Sequence, residues 1–271
     1  MKEKILILVK TYPTFSTKYN ELVCTAGINE NGEWRRIYPV PFRSLEELEK
    51  YKKYQYIEVD IEKSSDHRPE SYRIINNTEI KLCELIGTEH NWQRRKSIVF
   101  ENTPIFNNKA EIITKANKNN ELSLVIFKPD KVIDLTIEKA DNEYKQDVLD
   151  YVEQQNSEQW LFPEFKREIN LIPKLPYKFS YKFIDVSGEE STLMIEDWEL
   201  GALYWNCLKS VNGNEEQALI KVKEKYFHDF ITKKDLYLFL GTTKKFHGWA
   251  HNPFIIIGVF YPPKETQGSL F

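Results

Sequence analysis

Residues Lys10–Arg43 read KTYPTFSTKYNELVCTAGINENGEWRRIYPVPFR, a stretch that combines clear β-strand signals with many polar, basic and aromatic residues. Val23–Ile28 is a short run of β-forming residues. Asn29–Gly32 follows as a turn, whose Asn-Gly pair supplies the left-handed backbone that a tight hairpin needs. Glu33–Val40 then returns as a second strand. The stretch therefore predicts a β-hairpin near the start of the chain.

The second strand of this hairpin carries aromatic and basic side chains in alternation. Trp34, Arg36 and Tyr38 share one face, and Arg35 and Ile37 share the other. A row of aromatic rings and cations is typical of surfaces that stack on bases and hold phosphates. We expect this row to face outward, with Trp34 and Tyr38 stacking on bases. The cations expected to hold phosphates are Lys10, Lys18, Arg35, Arg36, Arg43 and Arg68.

An alternative interpretation of the same row is structural. Trp34 and Tyr38 would then pack in the core of a barrel, and Arg36 would pair with Glu21 or Glu33. The sequence leaves both interpretations open, but the adjacent Arg-Arg pair favours binding.

Composition narrows the class of protein. The chain has 271 residues, of which 41% are hydrophobic and 29% charged, as in globular proteins rather than disordered ones. No apolar run is long enough to span a bilayer, so no membrane partner is expected. Three widely separated cysteines suggest reduced thiols and a cytoplasmic location.

The net charge of −3 opposes nucleic-acid binding through bulk charge alone. Because residues 141–199 hold 14 acidic and 6 basic residues, a local basic surface elsewhere is still compatible with the sequence.

The sequence from Tyr177 onward also predicts a β-hairpin. Tyr177–Val186 and Ser191–Glu196 alternate around a Ser-Gly turn, an amphipathic helix covers Glu215–Thr232, and two apolar strands follow at Asp235–Thr242 and Pro253–Tyr261. Short strands with inserted helices favour small β-barrels over a parallel α/β sheet. The predicted fold is mainly β with inserted helices (α+β), as two tandem OB-like small β-barrels. The expected N-terminal OB-like domain is 1–140, the helical connector is 141–176, and the C-terminal OB-like domain is 177–271.

The chain also resembles a bacterial family described as containing a dual OB domain. The motifs that carry this resemblance are KTYP…KYNELVCTAGI…GEWRRIYPVPFR, DHRPES at Asp66–Ser71, DWELGALY at Asp197–Tyr204, DLYLFLGT and FIIIGVFYPP. The resemblance implies two OB-like barrels in tandem and an association with bacterial defence or mobile-element gene sets. It implies no catalytic residue, and an OB fold does not by itself fix a function.

Other candidate sites carry weaker signals. In the segment Asp66–Glu70, Arg68 could hold a phosphate in a bidentate manner and His67 could act as an acid or base. Cys24, with Lys18 and Glu21 nearby in sequence, is a candidate nucleophile. No set of cysteines and histidines has the spacing of a zinc site, so neither a metal nor a cofactor is expected. No phosphate-binding glycine-rich motif occurs.

These observations favour a non-enzymatic module that binds nucleic acid, which we expect to be single-stranded, or a nucleotide-like ligand. One alternative is an adaptor that binds a protein partner within a larger assembly. Another is a nucleotide-processing enzyme that uses Lys18, Glu21, Cys24 and the segment Asp66–Glu70.

Overall fold

The computed structural model describes residues 1–17, 20–42, 45, 47–75, 79–157 and 169–264. Strands dominate the described chain. The first sheet contains β1 (Lys2–Lys10), β2 (Thr14–Ser16), β3 (Asn20–Asn29), β4 (Trp34–Val40), β5 (Gln55–Lys63), β6 (Ser71–Ile74) and β7 (Lys81–Leu85).

Five strands of this sheet close into a barrel. They follow the order β1-β3-β4-β6-β5, and β1 pairs back onto β5. All pairs are antiparallel except β4 with β6. Such a five-stranded barrel is consistent with an OB-like fold. Its interior is filled by β-branched side chains that alternate inward, among them Ile5, Ile7, Ile37, Ile57, Val59 and Ile61.

The remaining strands form two further sheets. Four strands run in the order β14-β13-β9-β8, and their bounds are β8 (Ile105–Phe106), β9 (Leu124–Phe127), β13 (Tyr237–Thr242) and β14 (Phe254–Phe260). The other sheet contains β10 (Lys131–Lys139), β11 (Tyr177–Ile184) and β12 (Glu190–Met194). An isolated bridge between Ile195 and Ile256 connects the ends of β12 and β14.

Helices lie between these strands. Their bounds are α1 (Glu89–Glu101), α2 (Lys109–Asn117), α3 (Gln146–Ser157), α4 (Trp198–Ser210), α5 (Glu215–Lys223) and α6 (Phe230–Lys233). A π-helical turn, Glu224–Asp229, joins α5 to α6. Helix α4 begins at Asp197, whose side chain accepts a hydrogen bond from the Glu199 amide and so caps the helix. No helix in the described ranges is long and apolar enough to cross a membrane.

The barrel shares one apolar core with residues 105–157 and 169–264, which are called the second half from here on. Leu6 and Ile28 from the barrel pack in the same cluster as Ile126, Phe239 and Phe260 from the second half. The backbones also meet, because the Tyr12 amide donates to the Glu196 carbonyl at 3.0 Å. The two parts are therefore docked by buried surface and by main-chain hydrogen bonds.

The structure confirms the mainly β fold with inserted helices and shows one closed barrel. A second OB-like barrel stays a prediction, since the described strands of the second half pair as two sheets. Strands β8 to β10 lie within the region that the sequence analysis assigned to the N-terminal domain, 1–140. Strand β8 pairs with β9, β9 also pairs with β13, and β10 pairs with β11.

Candidate functional site

The row Trp34, Arg36 and Tyr38 lies on the outer face of the barrel, as alternation predicted, but the second half of the chain covers that face. The Trp34 ring meets the Phe239 ring edge-on at 5.9 Å. Arg36 is 3% exposed and donates from Nη2 to the Ser123 carbonyl at 3.0 Å. The prediction that Trp34 and Arg36 face solvent is therefore wrong, and Trp34 cannot stack on a base in this arrangement. Tyr38, 37% exposed, keeps an accessible ring.

Three other predicted phosphate-binding cations are also occupied by contacts within the chain. Arg35 forms a bidentate pair with Glu3 and lies over the Tyr72 ring. Arg68 is buried and forms a bidentate pair with Asp66. These pairs leave Arg35 and Arg68 little freedom to serve as surface phosphate contacts.

Lys10 is held among aromatic rings. Its ammonium lies 4.2 Å from the centre of the Phe42 ring and 5.2 Å from that of Trp198. Burial lowers the pKa of Lys10 to about 8, against the attraction of Glu199. Lys18 and Arg43, the last two predicted cations, fall outside the described residues.

A pocket of about 250 Å³ opens where the outer face of the barrel meets the second half. From the barrel it is lined by Cys24 and Arg36, and from the adjoining β5–β6 loop by Arg68. From the second half it is lined by Thr242 at the end of β13 and by Lys244 in the loop that follows. The structure thus brings together Arg36, Tyr38 and Arg68, three of the expected binding residues, and places Cys24 beside them.

The Arg36 guanidinium is the main charged group of this pocket. It donates to the Ser123 carbonyl and hydroxyl and, more weakly, to the Cys24 sulfur at 3.7 Å. Glu70 offsets the positive charge of Arg36 and is linked to it through Ser123, whose hydroxyl and amide both donate to Glu70. No carboxylate in the described part of the chain forms an ion pair with Arg36, and its Nε has no hydrogen-bond partner.

Other unsatisfied polar atoms gather at the same place. Of the buried side-chain atoms that lack a partner among the described residues, three belong to pocket-lining residues: Arg36 Nε, Thr242 Oγ1 and Thr243 Oγ1. Buried polar groups are nearly always hydrogen-bonded, because an unmade bond costs about 1–3 kcal/mol. Arg36 Nε and two threonine hydroxyls therefore lack partners beside one cavity.

Burial and nearby positive charges lower the pKa values of two basic groups in this region. Burial, then the proximity of His67, Arg68 and Arg36, lowers the pKa of His247 to about 4. Burial likewise lowers the pKa of Arg36, and Arg68 adds to this effect while Cys24 opposes it. An anion in the pocket would offset this concentration of positive charge.

One carboxyl group also lines the pocket. Burial raises the pKa of Glu196, which favours its neutral form. A neutral carboxyl would donate a hydrogen bond to an anion rather than repel it.

Sequence reasoning missed Ser123, Glu196, Thr242 and Thr243. Thr242 and Thr243 follow an apolar strand, and nothing in a run of DLYLFLGTT marks its end as part of a site. Only the approach of the barrel places Arg36 beside them.

Two protein-family models match the chain. Residues 107–271, more than half of the chain, match the model of a domain of unknown function, DUF8757. The chain belongs to the DUF8757 family. Residues 1–101 match a second model, also described as a domain of unknown function, DUF8758. Residues 102–106, which directly follow α1, lie between the two matches.

Other comparisons add no function. No curated protein matches the chain. A solved structure described as a murine DNA binding protein bound with double-stranded DNA aligns over 100% of this chain and 99% of its own, at 9% identity and a TM-score of 0.32. A score that low does not establish a common fold.

Proposed function

We propose that the pocket between the barrel and the second half binds a phosphate group, and that the chain is a binding module for nucleic acid or a nucleotide-like ligand. The proposal includes the tandem OB-like arrangement and a place in the bacterial dual OB family, which the closed N-terminal barrel supports. The single observation that carries the binding proposal is Arg36: a buried guanidinium in a pocket, with an unsatisfied Nε and no ion-paired carboxylate.

A phosphate suits this pocket better than a neutral ligand does. The Nε–H of the Arg36 guanidinium is a charged donor without a partner, and threonine hydroxyls supply further donors. Thr242 and Thr243 provide two such hydroxyls without other partners. Lys244 adds an exposed positive charge on the lining.

The size of the pocket limits what it can enclose. Pockets for whole drug-sized ligands usually exceed about 300 Å³, whereas this one has about 250 Å³. It therefore suits one phosphate group with the atoms next to it, and the rest of a ligand would lie outside. A nucleotide or a nucleic-acid strand fits that description.

Calorimetric titration with inorganic pyrophosphate tests the proposal. Wild-type protein should bind, and added salt should weaken binding because the attraction is electrostatic. Arg36→Gln should weaken binding about 10-fold or more, as expected for the loss of a charged hydrogen bond. The double variant Thr242→Val with Thr243→Val provides a second test that keeps the buried charge in place.

Arg94→Gln is the matched control, because Arg94 is an exposed arginine paired with Glu84 and does not line the pocket. Its affinity for pyrophosphate should equal that of wild type. Absence of pyrophosphate binding at low salt, or equal loss in Arg94→Gln and Arg36→Gln, would show that the pocket is not a phosphate site.

A second candidate function follows from the thiol in the pocket wall. Cys24 Sγ lies 3.7 Å from Arg36 Nη1, and a guanidinium can stabilise a thiolate. The chain would then be an enzyme in which Cys24 Sγ bonds to phosphorus as the P–O bond to the leaving group breaks, and water then hydrolyses the S–P bond. Turnover of a nucleotide panel that disappears in Cys24→Ser would favour this function, and no turnover would leave the binding role alone.

A further inference from the structure

The loop after β13 displays two aromatic rings to solvent. Trp249 is 68% exposed and Phe246 is 39% exposed, and their ring centres lie 5.6 Å apart. Large aromatic side chains usually contribute to a core, so two adjacent exposed rings are unusual. Isolated exposed apolar residues are common, but a pair flanked by cations is typical of a recognition surface.

This loop is held in place rather than loosely attached. The Asn117 side chain bonds both ways with it, donating to the Ala250 carbonyl and accepting from the Gly248 amide. Asn120 Oδ1 lies 2.8 Å from His247 Nε2. The indole N–H of Trp249 donates to the Lys245 carbonyl at 2.7 Å. The exposed rings are thus presented in a defined position, which lowers the entropy cost of binding.

The same loop begins in the phosphate pocket. Thr242, Thr243 and Lys244 line the pocket and directly precede the aromatic segment. Lys244 and Lys245 are exposed, and Lys245 Nζ lies 5.3 Å from the centre of the Phe246 ring. Cations and stacking rings therefore continue outward from a buried guanidinium.

We propose that Phe246 and Trp249 form a stacking platform for the bases of single-stranded nucleic acid whose phosphate occupies the Arg36 pocket. The inference rests on the proposed function and names its ligand. Single strands are favoured over duplexes because a base must leave its own stack to lie on an exposed indole. The lysines beside the rings would contact neighbouring phosphates of the same strand.

Fluorescence anisotropy with a labelled oligothymidylate tests this platform. Trp249→Ala should weaken binding about 5- to 150-fold, the range for loss of one stacked base. Trp249→Phe, which keeps a ring, should retain most of the affinity. Ile220→Ala is the matched control, since Ile220 is an exposed apolar residue of α5 and should have no effect.

Pyrophosphate binding separates this inference from the function on which it rests. We expect Trp249→Ala to bind pyrophosphate like wild type while losing affinity for the oligonucleotide. Unchanged oligonucleotide affinity in Trp249→Ala would overturn the platform and leave the pocket intact. Wild-type protein that binds neither probe would overturn the pocket itself. Equal binding of duplex and single strand would also contradict the platform.

Discussion

Arg36 shows how one residue can satisfy a sequence pattern and still play a different role. Arg36 shares one face of β4 with Trp34 and Tyr38, as predicted, but its guanidinium contacts Ser123 rather than solvent. Burial of a charge without an ion pair is costly, so such a group is retained where a ligand completes its contacts. Replacing a threonine beside Arg36 tests the pocket without removing the buried charge.

Thr242→Val should affect folding and binding in opposite ways. Because Thr242 Oγ1 is buried without a partner, valine removes an unsatisfied group, and the free energy of unfolding should stay equal or rise by about 1 kcal/mol. Affinity for pyrophosphate should fall. Thr25→Val is the control: Thr25 Oγ1 lies 2.6 Å from Tyr51 OH, so that variant should lose about 1–3 kcal/mol. Urea unfolding of both variants checks this, and a clear loss of stability in Thr242→Val would contradict it.

His247 should make stability depend on pH. Its pKa in the folded chain is about 4, because of burial and the nearby His67, Arg68 and Arg36, while Asp66 opposes the shift. The unfolded chain therefore binds a proton first as pH falls. The contribution of His247 to the free energy of unfolding, about 1–3 kcal/mol, is complete above about pH 6.5 and is lost as pH falls toward 4.

Urea unfolding across this pH range, in wild type and His247→Asn, measures that contribution. The difference in unfolding free energy between the two proteins should shrink as pH falls from about 6.5 to about 4. A constant difference would show that His247 does not titrate between the folded and unfolded states as described.

Elements that form through local patterns were predictable. The hairpin of β3 and β4 and the strands β13 and β14 all follow the sequence signals. An exception is Leu45–Tyr54, where helical spacing predicts a short helix. The described part of that segment contains only a 3₁₀ turn, Glu47–Glu49, and Tyr54 has a positive φ of 62°. Tertiary contacts of Tyr51 and Lys53 with other elements decide the backbone there.

The contact between the loop after β1 and helix α4 depends on a glycine. A Cβ at Gly201 would lie 2.2 Å from the Tyr12 ring. Tyr12 is held from both sides, since its hydroxyl donates to the Pro173 carbonyl and accepts from the Trp205 indole. Gly201→Ala should therefore lower the free energy of unfolding by about 1–3 kcal/mol, despite the better helix propensity of alanine.

A double-mutant cycle with Tyr12→Ala checks that cause. Because removal of the ring relieves the clash, Gly201→Ala should be neutral or stabilising in the Tyr12→Ala background. Additive losses of stability would mean that the cost arises elsewhere in α4.

At the scale of the molecule, the docking of the two halves is what sequence reasoning could not supply. The outward face of a barrel strand is recognisable from alternation, but whether another part of the chain covers it depends on contacts between distant residues. Trp34 with Phe239, and Arg36 with Ser123, are such contacts. The pocket exists only because these halves meet, so its lining is divided between segments far apart in sequence.

A buried ion pair also joins the halves. Lys53 from the barrel lies 3.5 Å from Asp197 and 2.8 Å from Glu199, at the start of α4. Lys53→Met would leave Asp197 buried without its cation and should cost about 3–5 kcal/mol in unfolding free energy. Lys53→Arg is the control that keeps the charge. Urea unfolding measures both, and a loss below about 1 kcal/mol in Lys53→Met would show that the pair does not hold the halves together.

A crystal structure of the chain with a 5′-phosphorylated oligothymidylate would show whether the pocket between the halves receives a phosphate group. We expect a phosphate within hydrogen-bond distance of Arg36 Nε and of the Thr242 and Thr243 hydroxyls, with a base on the Trp249 ring. A strand bound on another surface, with only water beside Arg36, would contradict it.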